Sequence, residues 1–191
     1  VHIQLRPRVG EHVVAGTTLA WVWPVEKQQS GDHQPGIDAR TSRTVDAAVT
    51  RAVRIGFERT LEQDPGLGMR QLCDAACKAL SPAINDPTTA VSAIDQVHRL
   101  LRIVGLRHLE TGLVHDSSGK LRLVHRTPGW KEFVYLGLTE IRQFGAGSVQ
   151  VTRRLQAMIE ELDRHLDRGL ATIQFEAQPA GDGVPAPDVP R

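Results

Sequence analysis

DPGLGMRQLCDAACKALSPAINDP, residues 64–87, decides how this chain folds. It holds two Asp-Pro pairs, Asp64-Pro65 and Asp86-Pro87, each followed by an apolar pattern of helical period. An aspartate ahead of a helix accepts hydrogen bonds from first-turn amides that have no intrahelical partner. A proline at the first helical position loses no bond by lacking its own N–H. Met69, Leu72, Cys73, Ala76 and Leu80 give the first of these helices one apolar stripe, and Ser81-Pro82 stops it. Val91, Ile94, Val97, Leu101 and Val104 line the second. A short turn between two helices makes them antiparallel neighbours, which places the two aspartates at opposite ends. The intervening helix, about fifteen residues long, separates them by roughly 22 Å.

The helical period extends in both directions. Upstream, Val45, Val49, Ala52, Val53 and Gly56 trace another helix. Downstream, residues 111–126 read as a hairpin, with Leu113-Val114 and residues 121–124 flanking Asp116-Ser117-Ser118-Gly119. Thr127-Pro128 repeats the cap-then-proline device and opens a helix with Trp130, Phe133, Val134, Ile141 and Phe144 inward. Gly145 and Gly147 end it, and Ser148 caps a last helix striped by Val151, Leu155, Met158, Ile159, Leu162, Leu166 and Leu170. Residues 1–25 read as three short β stretches, too few to bury two faces. A small barrel or sandwich, completed by chain upstream of Val1, is the expected context. Residues 26–44 read as a flexible linker, and the Pro-, Gly- and Ala-rich residues 176–191 as a disordered tail. The expected fold class is mainly α (α+β). A five-helix bundle-like domain spans residues 45–175 with the hairpin 111–126 inserted, and an incomplete β-barrel or sandwich segment precedes it.

Composition narrows the function classes. The 191 residues are 40% hydrophobic and 24% charged, and 23 Lys+Arg against 22 Asp+Glu leave a net charge of +1. So balanced a charge argues against a nucleic-acid partner, which requires an excess of cations to displace counterions from phosphate. The longest apolar run, residues 133–138 (FVYLGL), is far short of the ~20 residues that cross a bilayer. The start, VHIQLRPRVG, has no apolar core of the kind a signal peptide carries, and it lacks a start methionine, so a fragment of a longer protein is expected. Cys73 and Cys77 stand four apart on one helix face, where an intrahelical disulfide fits poorly and core packing is expected. The eight histidines show no ligand spacing, and no metal or cofactor is expected.

Three stretches together resemble a family of bacterial predicted membrane proteins that carry domain of unknown function 2254. They are RTLEQDPGLGMRQL (59–72), ALSPAINDPTTA (79–90) and EIRQFGAGS (140–148); the opening RPRVGEHVVAGTTL (6–19) resembles the family as well. The likeness covers roughly residues 1–170, and the second stretch is its most specific part. In that family several membrane-spanning helices precede this region. The resemblance therefore implies the soluble carboxy-terminal part of a membrane protein, with the upstream membrane-spanning segments as its partners. It supplies no activity. A weaker likeness of residues 9–19 to the hairpin of biotinyl and lipoyl carrier domains lacks the lysine that those domains modify, since none occurs before Lys27.

Two clusters are candidate sites. Asn85, Asp86 and Thr88 converge at a helix start, where free N–H groups favour anions. Glu62, Gln63 and Asp64, with Arg70 one turn on, could supply a carboxylate pair with a cation. Capping is the simpler role for both aspartates, and antiparallel helices would keep the clusters apart, whereas catalytic groups must meet on one substrate. Arg142 is expected to neutralise a buried carboxylate, Asp95 or Asp74. These readings favour a non-enzymatic regulatory or assembly domain of a multi-pass membrane protein. It is expected as a homo-oligomer on the cytoplasmic side of the cell membrane. A small-ligand, hydrolase-like enzyme or an anion or nucleotide sensor is the alternative, using the 60–70 and 81–89 segments.

Overall fold

The computed structural model describes residues 1–24 and 37–166. Within them the chain is α+β: strands β1 (His2–Leu5) and β2 (Ala20–Trp23), helices α1 (Ala39–Ala52), α2 (Pro65–Ala79) and α3 (Pro87–Gly105), strands β3 (Leu113–His115) and β4 (Leu121–Val124), and helices α4 (Trp130–Gly145) and α5 (Val149–Leu166). The expected tail and Leu170 lie outside the described residues, as does the first part of the expected linker. The linker's last part is helical. Asp38 caps α1, its Oδ1 accepting from the amides of Arg40 and Thr41 at 2.9 Å each, so the helix begins at Ala39.

Both Asp-Pro pairs start helices as the capping argument requires. Asp64 accepts from the Gly66 amide, and Asp86 from those of Thr88 and Thr89. The third start differs. Gly129 is the cap residue of α4, its amide donating to Glu132 Oε2 at 3.1 Å. Thr127 instead donates its hydroxyl to the Glu110 carbonyl at 2.8 Å, fastening the base of the hairpin.

Residue contacts fix the direction of each helix. The Asp86 amide donates to the Ala79 carbonyl at 2.8 Å, so α3 turns straight back along α2. Met69 lies near Gly137, and Arg70 near Glu140, so α4 runs parallel to α2. Asp95 meets Arg154, and Arg102 meets Glu161, so α5 runs parallel to α3. Met69, Cys73, Ile94, Val97, Leu101, Leu138, Ile141, Met158 and Leu162 form the dry centre. Gly137 sits where three helices converge; a Cβ there would approach Val97 Cγ1 to 2.9 Å and Met69 Sδ to 3.3 Å. The core therefore rests on α2 to α5 rather than on five helices, and α1, whose buried residue is Val45, contributes nothing to it. Phe144, expected inward, is instead 53% exposed.

The amino-terminal strands find partners within the chain. β1 pairs antiparallel with β2 and parallel with β4, giving one mixed sheet ordered β2-β1-β4-β3. The hairpin thus pairs with the amino-terminal strands in one open sheet, and Val13-Val14 forms no third strand. Close packing between elements runs within the sheet and within the helical layer. A loop joins the two: Gly10, between β1 and β2, lies directly against Asp64 Oδ2 and Arg59.

Candidate functional site

At the sheet end of the helical layer, Asp64 is buried and both of its oxygens are engaged. Oδ1 accepts from the Gly66 amide at 3.0 Å. Oδ2 accepts from Arg59, through Nε at 2.8 Å and through Nη2 in a second, short contact. Gly10 closes over this pair with φ +78°, a left-handed conformation that glycine adopts without steric penalty. Glu62 and Gln63 face solvent on the turn before. Arg70, one turn into α2, reaches Glu140 Oε1 at 2.6 Å and Asp74 Oδ1 at 3.8 Å. Its guanidinium pKa is raised, chiefly by the Glu140 hydrogen bond.

At the other end, Asn85 takes a left-handed φ of 47°, which asparagine tolerates better than most residues. Asp86 Oδ1 accepts from the Thr88 and Thr89 amides at 3.1 Å each, and the Thr89 hydroxyl donates to Oδ2. That hydroxyl first, and then the amides, holds the Asp86 carboxyl below the usual carboxylate range. Thr88 is exposed, and its carbonyl accepts from the Ser92 hydroxyl at 3.1 Å. The helix-start amides that would greet a bound anion are already occupied by the aspartates, which weighs against an anion sensor at either cap.

The two predicted clusters therefore do not meet within one chain, since α2 separates them by roughly 22 Å at 1.5 Å per residue. Arg142 is exposed on α4, and the two carboxylates it was expected to neutralise, Asp95 and Asp74, are themselves exposed rather than buried. Arg154 holds Asp95 and Arg70 holds Asp74, because α5 packs along α3 and α4 along α2. Cys73 Sγ donates to the Leu136 carbonyl at 3.0 Å, and burial pushes its pKa up to about 12. Burial likewise raises that of half-buried Cys77. Both thiols are thus poor nucleophiles. Among the described residues, no three His, Cys, Asp or Glu side chains are grouped to hold a metal ion.

Two features escape sequence reading. The first is a cleft of about 370 Å³ beside β1 and β2, lined by Gln4, Arg6, Glu11, His12, Trp21 and Arg126 among others. None of the predicted site residues lines it, because it depends on β4 bringing Arg126 to the loop between β1 and β2. The second is His98, buried on α3 against α5. Arg154 can only donate, so the 2.9 Å contact to His98 Nδ1 makes that nitrogen the acceptor and leaves the proton on Nε2, 3.7 Å from Glu161. Burial lowers the His98 pKa; Arg154 and Arg102 lower it further, against the opposite pull of Glu161 and Asp95. An isolated histidine in an apolar stripe carries no sequence signal for such a cluster.

The chain belongs to the family described as predicted membrane protein (DUF2254), whose model matches residues 1–161. It is 34% identical over 138 residues to the uncharacterized proteins Rv1290c of Mycobacterium tuberculosis and Mb1321c of Mycobacterium bovis. The match covers 72% of this chain and 25% of each relative, so the chain spans about a quarter of their length. No solved structure matches it. Among the described residues no helix is long and apolar enough to cross a membrane.

Proposed function

We propose, with that membership as the premise, that this chain is a regulatory or assembly domain of a multi-pass membrane protein and performs no catalysis of its own. The single observation that carries this reading is how the amino-terminal segment is built in. β1 lies between β2 and β4 in the sheet, and its following loop rests on the Asp64–Arg59 pair at the start of α2. A movement of whatever precedes β1 would pass through paired backbone into the helical layer. The residues with chemical potential support the same reading, since Asp64 and Asp86 cap helices at opposite ends and Arg70 is held by Glu140.

The domain assembles as a homo-oligomer on the cytoplasmic side. The sheet keeps two outer strands, β2 and β3, with Trp21, Leu113 and Val114 exposed, and unpaired edges invite a second copy. The test of placement uses the full-length protein with one cysteine introduced at exposed Ser117, at the hairpin tip. A membrane-impermeant maleimide should label it only after lysis; labelling in intact cells refutes the cytoplasmic side. Light scattering of this chain should show mass rising above the monomer with concentration, and a constant monomer refutes assembly through these edges.

A further inference from the structure

Single exposed apolar side chains are normal on protein surfaces, but one stretch concentrates them. After α1 the chain carries Ile55 at 70% exposure and Phe57 with its whole ring in solvent. Both residues lie outside helix and strand, and neither belongs to the core cluster. Leaving a phenyl ring wholly hydrated forgoes one of the largest gains that burial offers.

Charge is concentrated in the same place. Residues 39–57 hold Arg40, Arg43, Arg51 and Arg54 against Asp46 alone, 4 − 1 = +3, whereas the whole chain sums to +1. At 3.6 residues per turn, Arg40, Arg43 and Arg51 fall within one sector of α1, ~80° wide, on the side away from buried Val45. All four arginines are exposed. Arg59, two residues beyond Phe57, pairs with Asp64 beneath Gly10, which puts the end of the stretch near the sheet.

We propose that residues 39–57 are a bilayer-contacting surface. Ile55 and Phe57 enter the boundary between headgroups and acyl chains, while Arg40, Arg43, Arg51 and Arg54 meet anionic headgroups. Apolar side chains beside a cationic helix face are what an interfacial segment requires, and the basic side chains select negatively charged lipid. Glu58, beyond Phe57, opposes the attraction but leaves the balance positive. The lipid chemistry needs only these side chains; the orientation toward the membrane of the same protein rests on the linkage proposed for the chain.

Flotation of the 191-residue chain with vesicles tests this. The chain should rise with phosphatidylcholine–phosphatidylglycerol vesicles at low salt and not with phosphatidylcholine alone. The pair I55D and F57D should weaken binding at least about tenfold. R51Q and R54Q should each weaken it roughly fivefold, the factor expected per basic side chain at an anionic surface. F144D, which charges another exposed apolar residue at the far end of α4, should leave binding unchanged, and far-UV circular dichroism confirms that each variant is folded. Should the Ile55 and Phe57 pair fail to fold, the two arginine variants decide alone. Absence of binding to anionic vesicles at low salt overturns the proposal, and so does binding indifferent to all four substitutions. If I55D and F57D instead abolish self-association in lipid-free light scattering while vesicle binding is absent, the surface belongs to a second copy and the proposal is overturned. The maleimide result on Ser117 stands apart from every one of these outcomes.

Discussion

Alanine at Gly10 tests the joint between sheet and helices, and Gly16 provides its control. Both glycines lie between β1 and β2 with positive φ, +78° and +88°. An added Cβ at Gly16 meets nothing within 4 Å, whereas at Gly10 it runs into Asp64 Oδ2 and comes within 2.8 Å of Arg59 Nε. Any L residue other than glycine pays roughly 1–2 kcal/mol for the left-handed backbone at either position. Both changes also reduce the freedom of the unfolded chain by a similar amount. Their difference therefore isolates the contact, and forcing atoms into a filled space costs about 1–3 kcal/mol. G10A should lower the unfolding free energy by that amount more than G16A, read from urea midpoints followed by far-UV circular dichroism. In a D64A background the excess should shrink by about 1 kcal/mol or more, because one of the obstructing groups is gone. In a W130F background, which removes the tryptophan of α4, emission from Trp21 and Trp23 reports the sheet separately. Equal costs for G10A and G16A, with no coupling to Asp64, would refute the docking of the amino-terminal loop on the α2 cap.

Three further outcomes follow from the same geometry. D86A should lower the melting temperature while D86N retains most of it, because asparagine also accepts from the first-turn amides; equal losses would show that the charge rather than the hydrogen bonds matters. Iodoacetamide at pH 8 should leave Cys73 unmodified in the native chain and label Cys77 slowly, with both labelled in denaturant, as read by mass spectrometry. Rapid native labelling of Cys73 would contradict its burial. His98 has a folded pKa below its unfolded value near 6.5, so between these values the unfolded chain binds more protons and acid favours unfolding. Its contribution is present above about pH 6.5 and is lost as pH falls through the folded value. The urea midpoint should drop from pH 7 to pH 5, and less so in H98Q; an identical drop in both would exclude His98 as a source.

Helix starts were legible in the chain because capping is local. Asp64-Pro65 and Asp86-Pro87 carry acceptor and ring within two residues of the amides they serve, and the structure uses both as caps. The apolar stripes were legible for a similar reason, since helical period alone selects the buried face of α2, α3 and α5. Thr127-Pro128 shows where local logic stops. The same residue pattern gave no cap there because Thr127 found the Glu110 carbonyl, a partner set by hairpin closure seventeen positions away. Phe144 was likewise read inward from period, but the buried stripe of α4 runs through Val134, Leu138, Ile141 and Gly145 and leaves Phe144 on its exposed flank.

Long-range pairing belongs to the tertiary structure alone. Nothing in His2–Leu5 announces that β1 will lie parallel to Leu121–Val124, because backbone hydrogen bonds carry no residue-specific address across such a separation. The sheet order, the cleft that Arg126 helps to line, and the seat of Gly10 on Asp64 all follow from that pairing. Nor could the ion pairs be assigned beforehand: Arg142, Arg154 and Arg70 offer Asp95 and Asp74 the same chemistry, and only the packing of α5 along α3 and of α4 along α2 brings particular guanidinium groups within reach. Local hydrogen bonds and periodicity thus determined where the helices begin and which side they bury. Which elements meet, and so which charges pair and where a cleft opens, depended on the three-dimensional arrangement.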